Sequence, residues 1–428
     1  MRLNRALFAI GYPAMPPSQT PYIKKDVYLG IDFGTTKTIV SYCGGKKDQI
    51  EPNLILLGEN GTSNVPTCIY IPNNTLHSII GTQARNRGWN ELERYTHDIK
   101  MHLNDKRALI VTDDQSYTAA DLTKLYLKEI CRQCETYYNI KGTIITHPAK
   151  GDAERDELLR KASVEAGFTL VDFITEPEAA AHAYFKENPG EYKKVLVVDW
   201  GGGTLDMTLV TIKGERTRPN PQFTRGEILG GNDIDRFLLH LVHEYMTDKG
   251  KDEEWDEDKH SQTPWYFSVM DSIRDFKKDL SDSTIPYRQL ELFRPNGDAY
   301  PVFKLNHSEY IRLIQEPFID KAVSAVTNLL NDITHEKEEV DVILLCGGTC
   351  LIPEVAQSMY KATGLKCITW DKAKEAVSLG AAIRSYTRWA PAPTSPWWKN
   401  PFFIGFLIGL AILAILFITI GTLAEFIE

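Results

Sequence analysis

Two segments of this sequence place an aspartate and a turn of glycines and threonines after an apolar run. The first contains Asp32 and continues with Gly-Thr-Thr at 34–36, and the second contains Asp199 and continues with Gly-Gly-Gly-Thr at 201–204. A second extended run follows each turn, so both segments predict a β-hairpin. Glycines permit positive φ and leave backbone N–H groups uncovered, and threonine hydroxyls add donors. Each turn could therefore bind an anion such as phosphate.

The aspartate at the end of each apolar run would be costly to bury as an unpaired charge. A hard cation such as Mg²⁺, which keeps several waters when it binds carboxylates, would offset that cost. Two such turns facing each other could hold a polyphosphate between them. Glycine turns also close ordinary hairpins, so either turn taken alone is explained equally well by a structural role.

A third glycine turn, formed by Gly347, Gly348 and Thr349, favours the phosphate interpretation. It follows an apolar run at 342–346 and is followed by Ile352-Pro353, which is typical of the start of a helix. The free N–H groups and positive dipole end of such a helix favour an anion. The sequence contains neither the G-x-x-x-x-G-K-[ST] nor the G-x-G-x-x-G pattern, so it predicts neither a P-loop nor a dinucleotide-binding fold.

The rest of the chain supplies the strands and helices that position these turns. Apolar runs alternate with helical patterns at 121–138, 152–166 and 308–331, which is typical of an α/β fold. A length of 428 residues allows two or three domains. The net charge of −9 and the lack of a basic patch argue against nucleic acid as a partner. Seven cysteines, an odd number, indicate a reducing compartment, although Cys131 and Cys134 leave a metal or redox pair as a minor alternative.

The two ends of the chain differ in composition from the folded part. We interpret residues 1–25 as a flexible extension, residues 26–388 as the folded domain and residues 389–400 as a linker rich in proline and tryptophan. Residues 401–424 are uncharged and long enough as a helix to cross a bilayer, and residues 425–428 form a short tail. We therefore expect a single-pass, tail-anchored membrane protein. The basic residues Arg384, Arg388 and Lys399 before the span predict a cytosolic head.

The predicted membrane helix also contains Gly405 and Gly409. This G-x-x-x-G spacing would let two such helices pack closely, so a homodimer is one expectation for the chain. Glycine is common in membrane helices in any case, and the pair alone does not decide the oligomeric state.

Five motifs follow one another along residues 27–387 in an order that is more specific than any single glycine turn. They are Gly30-Ile31-Asp32-Phe33-Gly34-Thr35-Thr36, Thr175-Glu176-Pro177-Glu178-Ala179-Ala180-Ala181, Asp199-Trp200-Gly201-Gly202-Gly203-Thr204-Leu205-Asp206, Leu229-Gly230-Gly231-Asn232-Asp233 and Gly347-Gly348-Thr349. In this order they resemble the ATPase domain of the 70-kDa heat-shock chaperone family, within the actin/hexokinase-like superfamily. The resemblance implies a two-lobed actin-like α/β fold, built from duplicated ribonuclease-H-like lobes around a nucleotide cleft. Lobe I would span about residues 26–193 and lobe II about residues 194–388.

The resemblance also implies a role for each matching residue. Those implied to bind ATP or ADP are Gly34, Thr35, Thr36, Lys37, Gly201, Gly202, Gly203, Gly230, Gly231, Lys277, Lys278, Ser281, Gly347, Gly348 and Thr349. Those implied to act in hydrolysis are Lys100, Glu176, Asp199, Thr204 and Asp206. Asp32 and Asp199 are implied to bind Mg²⁺ through water. Because phosphoryl transfer needs mainly positioning and charge neutralisation, this set is sufficient for ATP hydrolysis.

The sequence departs from the family pattern at the adenosine side and after the ATPase region. Arg274 stands where the family usually has an acidic residue, and Leu351 stands where it has an arginine that stacks on adenine. A leucine can cover a base but lacks the planar charge of a guanidinium. The predicted membrane anchor takes the place of the substrate-binding domain, so classical holding of client peptides is not expected.

We therefore expect a membrane-tethered ATPase that hydrolyses ATP slowly, closes its lobes as a switch and signals to a protein partner, with co-chaperones among the candidates. One alternative is a catalytically weak or inactive nucleotide-sensing scaffold at a membrane, favoured by the altered adenine contacts. Another is a small-molecule kinase of the same superfamily. A kinase needs an acceptor pocket with its own catalytic base, for which the sequence offers no candidate.

Overall fold

The computed structural model describes residues 24–391, except residues 45–49, 74–76, 98, 113–114, 151, 214–215, 251–262, 285–286, 295–296 and 371. The predicted N-terminal extension up to residue 23, the linker from residue 392, the membrane helix at 401–424 and the tail at 425–428 lie outside the described residues. Within the part that is described, no helix is long and apolar enough to cross a membrane.

Strands and helices alternate along the described chain. The strands are β1 (Lys25–Phe33), β2 (Lys37–Cys43), β3 (Asn53–Ile55), β4 (Asn64–Pro66), β5 (Cys68–Tyr70), β6 (Ile79–Ile80), β7 (Tyr95–His97), β8 (Ala108–Val111), β9 (Ser116–Thr118), β10 (Tyr138–His147), β11 (Val171–Thr175), β12 (Lys194–Trp200), β13 (Leu205–Lys213), β14 (Arg216–Glu227), β15 (Arg288–Leu290), β16 (Phe303–Leu305), β17 (Val342–Cys346) and β18 (Cys367–Thr369). The helices are α1 (Gly81–Gly88), α2 (Ala119–Tyr137), α3 (Ala153–Glu165), α4 (Glu176–Glu187), α5 (Gly231–Asp248), α6 (Pro264–Leu280), α7 (His307–Ile314), α8 (Asp320–His335), α9 (Pro353–Thr363) and α10 (Ala376–Trp389).

Two mixed sheets share one strand pattern. In the first, the order is β11-β10-β1-β2-β3, and in the second it is β18-β17-β12-β13-β14. In each sheet a hairpin (β1–β2 or β12–β13) lies beside strands that run parallel to its first strand. The duplication confirms the two predicted hairpins and gives an α/β fold with mixed sheets, consistent with an actin-like ATPase. Three smaller sheets have the strand orders β6-β5-β7, β8-β9 and β15-β16.

Helices cover both faces of each large sheet. Because alternate side chains of a strand point to opposite sides, each strand contributes to two cores. In β1, Leu29 and Ile31 belong to a core covered by α2 and α3, whereas Tyr28 belongs to a core with α4 and α10. In β12, Leu196 packs towards α5, α6, α8 and α9, whereas Val197 joins the core of α4 and α10. The core of α4 and α10 therefore contacts both sheets.

Small residues let α10 approach its neighbours closely. A Cβ atom at Gly380 would lie 1.7 Å from the Ala179 carbonyl oxygen on α4, and one at Gly30 on β1 would lie 2.1 Å from the Ala382 nitrogen. Only hydrogen fits at either position. Although α10 comes after the second sheet in the chain, it packs against β1, β2 and β10 of the first sheet. A division of the chain at residue 194 alone therefore does not describe how the two lobes are built.

The predicted helices form with one interruption. The patterns at 121–138 and 152–166 correspond to α2 and α3, which begin at the capping residues Thr118 and Asp152. The pattern at 308–331 is not one helix: α7 passes through a π-helical turn, Gln315–Ile319, into α8. Pro317 lies inside this turn, and because proline has no N–H group and its ring displaces the carbonyl one turn earlier, a regular α-helix cannot continue through it.

The cysteine pair of α2 has a structural explanation. Cys131 and Cys134 are buried in the core beneath the first sheet, and burial raises the pKa of Cys131 to about 12 and that of Cys134 further. Neither is a reactive thiolate at neutral pH. Among the residues that the structure describes, all cysteines are free, and no group of three or more His, Cys, Asp or Glu side chains could hold a metal ion directly.

Candidate functional site

The two predicted glycine turns meet at the junction of the lobes. A Cβ atom at Gly202 would lie 3.0 Å from Thr36 Oγ1, and one at Gly203 would lie 3.2 Å from Thr35 Oγ1. The turns have the same internal hydrogen bond, from Gly34 N to Lys37 O (3.1 Å) in one and from Gly201 N to Thr204 O (2.9 Å) in the other. Two equivalent turns from separate sheets therefore face each other across a shared crevice.

A cavity of about 740 Å³ opens beside this contact, which is within the usual size range of small-molecule sites. It is lined by most of the residues that the sequence singled out. These are Asp32, Gly34, Thr35, Thr36, Lys37, Lys100, Glu176, Asp199, Gly201, Gly202, Gly203, Thr204, Gly231, Lys277, Lys278, Ser281, Gly347, Gly348 and Thr349. Residues from all five motifs and from α6 thus converge on one cavity.

Two of the predicted residues, Asp206 and Gly230, lie behind the wall instead of lining it. Asp206 pairs with Asp199 across the β12–β13 hairpin and is only 2% exposed. Gly230 packs against the second glycine turn from behind, since a Cβ atom there would lie 2.3 Å from Gly202 O. The next two residues fasten this contact, with Gly231 N donating to Gly201 O and the following amide donating to Gly202 O. Both positions support the lining residues.

Close approach explains these glycines better than the positive φ that the sequence led us to expect. In the three turns, only Gly347 has a positive φ (81°) among the described glycines. A Cβ atom at Gly34 would lie 2.5 Å from Lys37 O, and one at Gly347 would lie 2.5 Å from Asp199 Oδ1. Gly34 and Gly347 are needed because a side chain there would displace backbone or the Asp199 carboxylate, whereas a Cβ atom at Gly348 would meet nothing within 4 Å.

Buried acidic groups collect at the inner end of the cavity around one ion pair. Lys100 Nζ lies 2.6 Å from Glu176 Oε1, and the two side chains are 7% and 12% exposed. Burial, followed by repulsion from Glu176, raises the pKa of Asp32 to about 6 and that of Asp206 to about 6, and raises the pKa of Asp199 well above its usual value. The carboxyl groups outnumber the two lysines that face them, Lys37 and Lys100, which favours a cation.

This acidic cluster fits Mg²⁺ that is bound through water. The Asp32 and Asp199 carboxylates line the same cavity, and Asp206 Oδ2 is buried without a hydrogen-bond partner in the described part of the chain. Hard cations prefer such oxygen donors, and Mg²⁺ keeps part of its water shell where few carboxylates reach it.

Local structure fixes the Lys100–Glu176 pair. Glu176 is the first residue of α4, and the preceding Thr175 caps that helix through Glu178 N. Lys100 lies in the turn after β7, where Arg155 from α3 donates to its carbonyl oxygen over 2.6 Å. The two side chains therefore approach from different elements of the first lobe.

The other end of the cavity is lined by α6 and by the turn before α9. Lys277 Nζ lies 2.7 Å from Asp235 Oδ1 and donates to Gly231 O, so this lysine joins α6 to the start of α5. Arg274 also pairs with Asp235, at 3.6 Å, which compensates its charge where an acidic residue was expected. Leu351 lines the cavity and is 36% exposed. The motif search missed Asp235, which lies one helical turn after Gly231 on the buried face of α5.

The lobes also touch at the outer mouth of the cavity. Arg85 on α1 pairs with Asp271 on α6 at 3.2 Å. Beside this pair, the Phe267 ring lies edge-on to Tyr95 and His97, with ring centroids 6.0 and 5.4 Å apart. Sequence reasoning did not find these residues, because nothing local in α1, β7 or α6 indicates which distant side chain each one meets.

Comparison with known proteins agrees with the geometry. The family model described as Hsp70 protein matches residues 28–388. The chain is 27% identical to the chaperone protein DnaK of Thermosipho africanus over 371 residues, which is 85% of this chain and 59% of that protein. It is 26% identical to the DnaK of Thermosipho melanesiensis over the same shares. The chain thus spans about three fifths of the length of these curated relatives. Since the family model covers most of the chain, the protein belongs to the Hsp70 family.

Proposed function

We propose that this protein binds ATP with Mg²⁺ and hydrolyses it slowly, and that it uses the closure of its two lobes as a nucleotide-dependent switch in chaperone-type work. The observation that carries the proposal is the convergence of three glycine turns, the Lys100–Glu176 pair and the carboxylates of two aspartates on one cavity between the lobes. Phosphoryl transfer depends mainly on positioning and charge neutralisation, and these groups can supply both.

The residues of the cavity divide the work. The backbone amides of the glycine turns and the hydroxyls of Thr35, Thr36 and Thr204 would bind phosphate oxygens. Asp32 and Asp199 would hold hydrated Mg²⁺, which neutralises charge on the phosphates when bound. Lys100 would stabilise the charge that develops during transfer. Glu176 orients Lys100 through their ion pair and would orient the attacking water, whereas Asp206, behind the wall, would act on that water only through the lining residues that it supports.

Lobe closure follows from how the wall is built. Thr35 and Thr36 lie in the turn between β1 and β2 of the first sheet, and Gly202 and Gly203 lie in the turn between β12 and β13 of the second, so a ligand held by both turns would draw the lobes together. Because ATP and ADP differ in the phosphate contacts they offer, they would stabilise the closed form to different degrees. The Arg85–Asp271 pair at the mouth is part-exposed and adds a modest barrier to reopening.

Hydrolysis by the full chain tests the proposal. We expect Mg²⁺-dependent release of phosphate from ATP, and we expect Asp199→Asn to lower the rate by about 100-fold or more, because the carboxylate that holds the cation is lost. Asp332→Asn is a matched control, since Asp332 pairs with Arg225 on the exposed surface of the second lobe. Equal rates for the wild type and the Asp199 variant would remove the enzymatic part of the proposal.

A nucleotide sensor that turns over little or no ATP is the second candidate. Leu351 supports it, because an aliphatic side chain at the cavity wall would bind the nucleotide base more weakly and less selectively than a stacked guanidinium. Calorimetric binding of ATP and ADP without measurable hydrolysis would select this candidate.

We also propose that residues 401–424 tether the protein to a membrane with the globular head in the cytosol, and that its partners include co-chaperones. The uncharged composition of that segment supports the tether. We expect the full chain to stay with membranes after alkaline carbonate extraction. Because an arginine at the centre of a membrane helix costs about 3 kcal/mol, Leu410→Arg combined with Leu413→Arg should release it. Carbonate-soluble wild-type protein would contradict the tether, and glycans on the head would contradict its orientation.

A further inference from the structure

A histidine outside the cavity connects the two helices that flank its outer end. His307 is the first residue of α7 and its side chain is 14% exposed. Its Nδ1 lies 2.7 Å from the carbonyl oxygen of Leu280, the last residue of α6. Its Nε2 lies 2.9 Å from Glu354 Oε1, in the first turn of α9. One imidazole ring therefore bridges the end of α6 and the start of α9.

Several lining residues of the cavity lie on these two helices or directly beside them. Lys277 lies on α6, and Ser281 directly follows the last residue of α6. Leu351 and Ile352 lie in the turn that leads into α9. Ser281 Oγ donates to Lys277 O, which keeps this end of α6 regular. The distance between α6 and α9 thus sets the width of the cavity at the end where a nucleoside would lie.

The two atoms that face the imidazole ring are both acceptors. A backbone carbonyl oxygen has no proton to donate, and a carboxylate has none when ionised. A neutral imidazole has one N–H group, so it can satisfy only one of these partners, whereas the imidazolium donates to both. The negative dipole end of α6 also favours the positive form, whereas the N-terminus of α7, where His307 is the first residue, opposes it.

The charged groups around the ring agree with this protonation state. Glu354 faces it from α9, and Asp282 faces it from the segment after α6. Arg288 approaches Asp282 at 3.9 Å but donates to the Asp279 carbonyl oxygen. On α7 itself, Glu309 is engaged with the N-terminal cap of the helix. Burial lowers the pKa of His307, but the hydrogen bonds to Leu280 and Glu354 outweigh burial and raise it above its ordinary value.

We propose that His307 is a positioning residue for the nucleoside half of the cavity: as an imidazolium it holds α6 and α9 at the width that binds nucleotide, and its deprotonation releases one of the two helices and weakens binding. This inference rests on the proposed function, namely that the cavity binds ATP or ADP. It adds a pH dependence that originates outside the phosphate and metal sites.

The sign of the effect follows from the direction of the pKa shift. Because the pKa of His307 is raised in the folded protein, its contribution is complete below its unfolded pKa of about 6.5 and is lost as the pH rises through the folded pKa. Nucleotide affinity should therefore fall on the alkaline side of that value. Linkage is reciprocal, so bound nucleotide should raise the pKa of His307 further.

The first test measures the Kd of Mg²⁺-ADP for the full chain by calorimetry between pH 6 and pH 9. For the wild type we expect Kd to rise by about tenfold over this range, which corresponds to the loss of one charge-assisted hydrogen bond. His307→Gln, which donates from one side only, should bind weakly at every pH. His307→Arg keeps a positive charge and should flatten the profile. Dividing the Kd of each variant by the wild-type Kd at the same pH cancels the effects of the titration of ADP and of the acidic cluster, which all the proteins share.

The second test observes the ring itself. The His307 resonance, identified by its loss in His307→Gln, should titrate at higher pH with ADP than without. Glu354→Gln removes the charge but keeps the shape, so it should shift both this titration and the midpoint of the Kd profile to lower pH. Parallel Kd profiles in the wild type and His307→Gln, with no response of the resonance to ADP, would overturn the inference. If wild-type protein binds no ADP at any pH, the proposed function itself fails and the inference falls with it.

Discussion

Alanine at Lys100 is expected to lower the rate of ATP hydrolysis by about 100- to 1000-fold while leaving the Kd for ADP within about threefold. The ammonium group lies 2.6 Å from Glu176 in a nearly dry part of the cavity, where charge interactions are strong. A positive charge fixed there before the reaction stabilises the negative charge that develops on the phosphoryl oxygens. The alanine variant loses that charge and leaves Glu176 without its partner.

The measurement is single-turnover hydrolysis of ATP, with ADP affinity measured in parallel. Lys194→Ala is the matched control, because Lys194 also forms an ion pair with a glutamate, Glu338, but on the surface and away from the cavity. We expect this control to hydrolyse ATP at the wild-type rate. A Lys100 variant that keeps its hydrolysis rate but loses affinity would show that the lysine holds the ground state and is not catalytic.

Gly347→Ala is expected to lower the free energy of unfolding by about 3 kcal/mol and to weaken Mg²⁺-dependent activity at the same time. Gly347 has φ of 81°, a conformation that alanine adopts only with strain. The added Cβ atom would also lie 2.5 Å from both Asp199 Oδ1 and the Trp200 carbonyl oxygen. The backbone cannot yield easily, so the Asp199 carboxylate must move.

The neighbouring glycine provides the control. Gly348 has an ordinary φ, and a Cβ atom built there meets nothing within 4 Å in the described structure. The free energy of unfolding of Gly348→Ala, measured by urea titration, should therefore lie within about 0.5 kcal/mol of the wild-type value. Equal stability of the two alanine variants would show that the third turn adapts to a side chain and that its glycine is not required by close approach.

The parts of the site that the sequence predicted are those with a local pattern. An apolar run, an aspartate and a glycine turn identify each hairpin without knowledge of its neighbours, and the structure brings both turns to one cavity. The interruption of the helix at Pro317 could also be predicted from the sequence, because proline disrupts the helix in which it lies. The local signal was present there but was outweighed by the periodicity of the apolar residues.

The parts that the sequence did not predict depend on contacts between distant segments. Arg85 and Asp271 are 186 positions apart, and each is an ordinary charged helix residue until the lobes are assembled. The same holds for the bridge from His307 to Leu280 and Glu354. Asp206 and Gly230 match the family motifs, yet their places behind the wall depend on how one loop stacks on another. Only the tertiary structure distinguishes a residue that lines the cavity from one that supports it.

Helix α10 has a mechanical consequence for whatever follows residue 391. Val377 near its start lines the cavity, and Trp389 at its end packs on Gly142 in the middle of β10. Its 14 residues form a rod about 20 Å long that is wedged between β1 and α4 with almost no free space. A force that pulls on the chain after α10 would act along the helix axis. It would therefore also displace the start of the helix, which lines the cavity.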